Sequence, residues 1–223
     1  MPIFRNKEKR YFLITSYKVL FSGLTRQSEL IPILFTVEQF NLRTYFHIVR
    51  HLKWPVYMFV RNPYDRILSL FADKFVKQPA RIGEKDFEWQ AFHKVFYKHL
   101  GLSVTQSDNE LAEAFQRFDI NAFIGLLPEV YLMDDHMIPQ YRSIWAQAVN
   151  GVRLKLPFVS VLQFEDDLEE AGGMLGLDLR HRYNVSNSFE YRDKLTPDSI
   201  DIINRLYHKD FVLGGYVEKQ AQK

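Results

Sequence analysis

The chain has no cysteine, which excludes disulfides, thiolate metal sites and thiol catalysis together. It also lacks a long hydrophobic run: no window approaches the roughly 18 uninterrupted apolar residues of a membrane span. The segment from Met1 to Arg10 has no apolar core of signal-peptide length. A cytoplasmic protein without a membrane span is the expectation. Charge of one sign is scarce too. The formal net charge is +2, so no global field marks a nucleic-acid binder, and any basic site must be local. The Walker A pattern G-x-x-x-x-G-K-[ST] is missing, as are repeats, low-complexity segments and an interdomain linker. What remains is a 223-residue chain with 47% apolar residues. That is enough for one globular α/β domain over residues 1–223 with a real core.

The most informative stretch runs from Pro55 to Phe75. Val56 to Val60 is a short apolar run rich in β-formers, as a buried central strand should be. Asn62 then suits an N-cap, Pro63 the first helical position, and Asp65 the positive end of the helix dipole. Ile67, Leu68, Phe71 and Phe75 form one apolar face, which places Arg66, Ser69 and Asp73 on the other side. Arg61 ends the strand, where ligands of open α/β sheets bind. Ser69 follows two helical turns later, so both can reach one phosphate. The chemistry equally allows Arg61 to pair with Asp65 and Ser69 to be solvated.

Elsewhere, Tyr11 to Ser16 reads as the first strand, and Tyr17 to Leu24 as a turn opening a helix. Lys18 in that turn and a hydroxyl at Ser22 suit a phosphate cradle completed by backbone N–H groups. Residues 25–36 read as a connection, and Val37 to Leu52 as a helix. His47 and His51 lie one turn apart on it without a third ligand nearby, so the pair reads as a solvated face. Residues 86–100 and 108–127 read as helices with aromatic cores, the second capped near Ser107 or Asp108. Asp134 and Asp135 precede His136, and such neighbours raise a histidine's pKa and orient its ring. Pro157 to Glu165 reads as another buried strand, with Glu165 holding a loop, and a helix follows to Leu175. The polar segment 181–188 reads as a loop, and Thr196-Pro197 starts a last helix.

The wording of these segments resembles the PAPS-dependent sulfotransferases. The branch concerned holds the Golgi carbohydrate sulfotransferases and their bacterial relatives. Arg61-Asn-Pro-Tyr-Asp-Arg-Ile-Leu-Ser69-Leu-Phe, with Lys74-Phe75 after it, is similar to the family's 3′-phosphate-binding segment. The resemblance implies that Arg61 and Ser69 hold the 3′-phosphate of the donor, 3′-phosphoadenosine 5′-phosphosulfate (PAPS). Aligned with the family's P-K-T-x-G-T-S loop, Lys18 takes the place of the catalytic lysine and Ser22 that of the loop threonine, with Gly23 beside it. Tyr17 replaces the proline there, and Phe21 replaces a glycine, filling room that glycine leaves to a phosphate. His136 in H-x-x-P-Q takes the place of a general base, with Met137 where Trp is frequent. Asn184 and Ser186 fall in a loop that closes over the donor. The ending Tyr207-His-Lys-Asp210-Phe-Val-Leu-Gly-Gly-Tyr216 is similar to the family's terminal segment.

The implied fold is a single P-loop-like domain, a mainly parallel sheet flanked by helices on both faces. The implied reaction moves a sulfuryl group from PAPS to a hydroxyl, that of a carbohydrate or glycan, releasing 3′,5′-adenosine diphosphate (PAP) and requiring no metal. Two alternatives stay open: a P-loop-type kinase, and a non-catalytic PAP- or nucleotide-binding module.

Overall fold

A hairpin at the start of the chain decides the architecture. The computed structural model describes residues 2–34, 41–51, 53–147, 153–179 and 188–220. In chain order its strands and helices are β1 (Ile3–Asn6), β2 (Tyr11–Ile14), α1 (Phe21–Leu24), β3 (Leu30–Leu34), α2 (Leu42–Val49), β4 (Val56–Val60), α3 (Pro63–Phe71), α4 (Ala91–Tyr97), α5 (Asp108–Gln116), α6 (Ile120–Val130), β5 (Trp145–Gln147), β6 (Arg153–Lys155), β7 (Val159–Gln163), α7 (Leu168–Leu175) and α8 (Pro197–Gly214). They form two compact units. The first holds residues 1–62, 139–185 and 209–216, and the second the remainder.

The first unit contains a five-stranded sheet in the order β3-β1-β2-β4-β7. The β2–β4 and β4–β7 pairs are parallel, whereas β1 pairs antiparallel with both β2 and β3. The expectation of a mainly parallel sheet is therefore corrected: the sheet is mixed. The cause is local turn chemistry. The Asn6 side chain accepts the Lys9 N–H at 2.8 Å, and Arg10 turns with φ +57°, so the charged run 7–10 folds β1 back on β2. β3 lies in a stretch expected to be a connection. Its Pro32 argues against a strand, yet β3 is an edge strand, where a missing N–H costs no ladder bond.

Helices cover both faces of this sheet. Phe4, Leu13 and Phe59 share a core with Val19 and Leu24 around α1 and with Leu168, Ala171 and Leu175 of α7. Phe12 points the opposite way, since side chains alternate along a strand. It meets the rings of His47 and His51, centroids 6.2 and 6.0 Å away, from the side of α2. Those two histidines thus pack against an aromatic ring instead of forming a solvated face.

The second unit is helical around aromatic rings. Phe75 lies at its centre, with ring centroids of Phe96, Phe118 and Phe123 between 5.1 and 5.3 Å away. α3 starts at Pro63, as the capping signals indicated. The stretch 108–127 is two helices, because the Asp119 carboxylate caps a fresh start by accepting the Asn121 and Ala122 N–H groups. Ser107 and Glu110 form a capping box at the start of α5. α3 is buried on all sides: Arg66 is fully buried and Ser69 is 5% exposed, so neither lies on a solvated face.

Candidate functional site

In the first unit, the candidate residues gather at the carboxyl ends of the adjacent parallel strands β2 and β4. The loop leaving β2 turns sharply. Lys18 and Leu20 both adopt left-handed backbone angles, φ +68° and +55°. A residue with a Cβ pays about 1–2 kcal/mol for that conformation, and such strain concentrates at functional sites. The loop is held from below, where the Val19 N–H reaches the Ser16 carbonyl at 3.1 Å and the Thr15 hydroxyl donates to the Val19 carbonyl. Ser22 and Gly23 lie within α1. The Phe21 ring, in place of the expected glycine, packs edge-on against Tyr17 at 4.9 Å and against the core.

Arg61 closes on this loop. Its guanidinium donates to the Lys18 carbonyl at 3.2 Å, stands 3.8 Å from the Glu165 carboxylate, and covers the Phe164 ring at 5.1 Å. In the second unit, Asp65 accepts two bonds from Arg192, at 2.9 and 2.6 Å. Glu165 is itself tied down. It accepts the Asn62 N–H at 3.2 Å and the Tyr216 hydroxyl at 2.5 Å, in keeping with a loop-holding role. Burial comes first, then the hydrogen bond to Glu165, in pushing the Tyr216 hydroxyl far above its usual pKa. It therefore stays a donor at any working pH.

Two residues of the matched segments were not singled out as site residues by sequence reasoning. Gln140, fully buried, caps the end of β4 as a further strand would. Its side-chain carbonyl accepts the Arg61 N–H at 2.9 Å, and its NH2 donates to the Arg61 carbonyl at 2.8 Å. The Ser16 hydroxyl reaches the same side-chain carbonyl at 3.3 Å, so one amide spans the ends of both strands. Asp210 in turn accepts the N–H groups of Gln140 and Tyr141 at 2.7 and 2.8 Å. The only signal in the sequence was their fixed places in H-x-x-P-Q and Y-x-x-D.

In the second unit, His136 forms a dyad with Asp134. Asp134 Oδ1 accepts the ring Nδ1–H at 2.6 Å and the His136 backbone N–H at 2.8 Å. Burial raises the Asp134 pKa. The hydrogen bonds and charge of His136 and the charge of Lys74 outweigh it, leaving the carboxyl below its usual range. With Nδ1 committed to a carboxylate, Nε2 is the nitrogen left to accept a proton, the arrangement a general base requires. The backbone around His136 is clamped. Arg66 Nη2 donates to the carbonyls of His136 and Ile138 at 2.9 and 2.7 Å. The Tyr207 hydroxyl donates to the Met137 carbonyl between them at 2.8 Å. Arg66, the second arginine of the matched segment, is thus a buried bracket. Ser69 is buried on the same helix. Asn184 and Ser186 lie outside the described residues.

The structure therefore brings together Lys18 with Arg61, and His136 with Asp134. Among the described residues no three His, Asp or Glu side chains group to hold a metal, and no helix is long and apolar enough to cross a membrane. A family model described as the sulfotransferase family matches residues 20–146, more than half of the chain. The chain belongs to this family, a membership that supports sulfuryl transfer as its general activity. No curated protein and no solved structure matches the chain.

Proposed function

We propose that this sulfotransferase-family chain, acting as one P-loop-like catalytic domain over residues 1–223, transfers the sulfuryl group of PAPS to a hydroxyl of a carbohydrate. The observation that carries the reading is the hydrogen bond from Arg61 to the Lys18 carbonyl. It joins the two segments whose wording resembles donor-binding sequences, at the carboxyl ends of adjacent parallel strands, where ligands of such sheets bind. An ammonium, a hydroxyl and a guanidinium at Lys18, Ser22 and Arg61 suit the anionic groups of such a donor. Arg61 and Ser69 would hold its 3′-phosphate, and Gly23, Asn184 and Ser186 would contribute further contacts. PAPS, when bound, supplies the sulfuryl group.

The protein's share is positioning and electrostatics. The Lys18 ammonium neutralises charge that develops on the departing phosphate oxygen. His136 Nε2 takes the proton of the acceptor hydroxyl while Asp134 keeps the ring in the correct tautomer. No metal ion is needed for these steps.

The test is ligand-dependent thermal unfolding of the full chain. PAP should raise the melting temperature by mass action, whereas ATP and AMP, which lack a 3′-phosphate, should raise it much less. Arg61→Ala should remove most of the PAP shift. Equal shifts with ATP would point to the kinase alternative. A PAP shift without sulfuryl transfer to any acceptor would point to a non-catalytic binding module.

A further inference from the structure

The sheet of the first unit has two edges, and they are built differently. β3 is blunted. Pro32 stands at its centre, and the Leu30 N–H is taken up by the Gln27 carbonyl at 3.2 Å. A proline on an edge strand is one of the devices that prevent further pairing. β7, at the other edge, has neither proline nor charge, since its sequence is Val-Ser-Val-Leu-Gln.

The register shows which of its backbone groups point outward. Phe59 pairs with Leu162, and the Phe164 N–H reaches the Val60 carbonyl at 2.8 Å. Backbone groups alternate in direction along a strand, so those of Ser160, Leu162 and Phe164 face β4. Those of Val159, Val161 and Gln163 face away from it. Asp167 Oδ2 accepts the Gln163 N–H at 2.6 Å. The N–H and C=O groups of Val159 and Val161 have no partner among the described residues.

The two ends of β7 carry opposite charge. Arg153 and Lys155, both exposed, precede it. Asp166, Glu169 and Glu170, all exposed, follow it. Phe158, between the basic pair and the strand, is 88% exposed and turns with φ +55°.

We propose that β7 pairs with β7 of a second copy of this chain, antiparallel about a two-fold axis at Ser160. The backbone groups select that occupant. With Ser160 opposite its own copy, Val159 lies opposite Val161 of the second copy. Such a pair exchanges both N–H···O=C bonds, so the outward groups of each valine are satisfied by the same groups on the other chain. Charge selects the antiparallel direction. The basic end of each strand then meets the acidic end of the other, whereas parallel pairing sets like charges together. No charge lies within β7 to meet its own copy at the axis. Phe158 falls opposite Leu162 of the second copy, a half-buried leucine, and gains apolar cover there. Closure follows from the unequal edges. Joining two sheets through β7 gives ten strands with the blunted β3 at both ends, so assembly stops at two copies. One strand from each copy is a small contact beside the about 1,200–2,000 Å² of a stable interface, so the dimer forms as concentration rises.

The experiment is sedimentation equilibrium of the full chain at low ionic strength over a concentration series, with hydrogen exchange over the same series. The mass should rise from 26.5 kDa toward twice that value and no further, while exchange at the Val159 and Val161 amides slows. Ser160→Lys, at an exposed position, sets two ammonium groups on the axis. It should leave a monomer with an unchanged melting temperature and fast exchange at both amides. Lys155→Glu and Asp166→Lys should each weaken pairing about tenfold, because exposed charge contacts at both ends turn from attraction to repulsion. Mixed in equal amounts, these two variants should pair with each other nearly as tightly as the natural chain does, since every end again joins opposite charges. A natural chain that stays monomeric at its highest soluble concentration overturns the proposal. So does a dimer that survives Ser160→Lys with both amides still exchanging fast, or growth beyond two copies. Mixed charge variants that recover no pairing overturn the antiparallel two-fold arrangement.

Discussion

Replacing Asp134 with asparagine tests the assignment of His136 most directly. The carboxylate makes two contacts with that residue, 2.6 Å to Nδ1 and 2.8 Å to the backbone N–H. An amide keeps the shape, removes the charge, and presents an NH2 that favours the wrong ring tautomer. A positioned general base contributes about 10²–10⁴-fold to turnover, so Asp134→Asn should cost much of that, a barrier rise of about 2.7–5.5 kcal/mol. Steady-state sulfuryl transfer would report it as a fall in kcat, with the PAP-induced melting shift unchanged. Because Asp134 and His136 act together, the double variant should lose little more than either single one.

A stability arm follows from the same contacts. The folded carboxyl titrates below its usual value, so the unfolded chain binds more protons in the window between the folded pKa and about 3.9. Stability therefore rises with pH across that window, is complete above it, and is lost as pH falls through the folded pKa. Asp134→Asn should flatten that acid limb, and losing hydrogen bonds to a charged, largely buried group should cost about 1.5–3 kcal/mol at neutral pH. Native kcat in Asp134→Asn, together with loss of activity in His136→Ala, would refute the orienting role. Native kcat in both would remove His136 from the mechanism.

Arg66→Met leaves the His136 and Ile138 carbonyls without their donor; a loss of about 2–5 kcal/mol in denaturant unfolding and a reduced kcat are expected, with Arg66→Lys rescuing only in part. Lys18→Ala should raise the barrier by about 3–4 kcal/mol, read as a drop in kcat larger than the loss of PAP affinity. Gly214→Ala would place a Cβ 2.4 and 2.6 Å from two carbons of the Tyr216 ring. An aromatic ring cannot yield as a flexible side-chain tip does, so a cost of about 1–3 kcal/mol should appear as a lower melting temperature. His93 is fully buried against Phe75 and Phe115, and burial lowers its pKa to about 4. The unfolded chain then binds more protons between pH 4 and 6.5, so stability should decline by up to about 3 kcal/mol as pH falls through that range. His93→Phe should abolish that slope in pH-dependent unfolding.

What the sequence by itself determined was written in local signals. The β4–α3 junction was legible because an apolar run, an N-cap residue and a proline at the first helical position each act within a few residues. Strand β2, a cap near Ser107 and the start of α8 at Pro197 were legible for the same reason, as was strand β7, although it was expected to be buried and is a partly exposed edge strand. The family was legible because its segments sit at such junctions. The direction of β1, and with it the mixed sheet, depended on a pairing whose partner no periodicity reveals. β3 was missed because its proline argues against a strand, and only its edge position makes that proline harmless. Arg66 and Ser69 seemed solvent-facing by helical spacing, yet packing around α3 buried both. The meeting of Gln140 with Arg61 joins residues far apart in the chain. A polar side chain carries no record of which distant backbone will complete its hydrogen bonds, so those contacts were decided only when the chain folded.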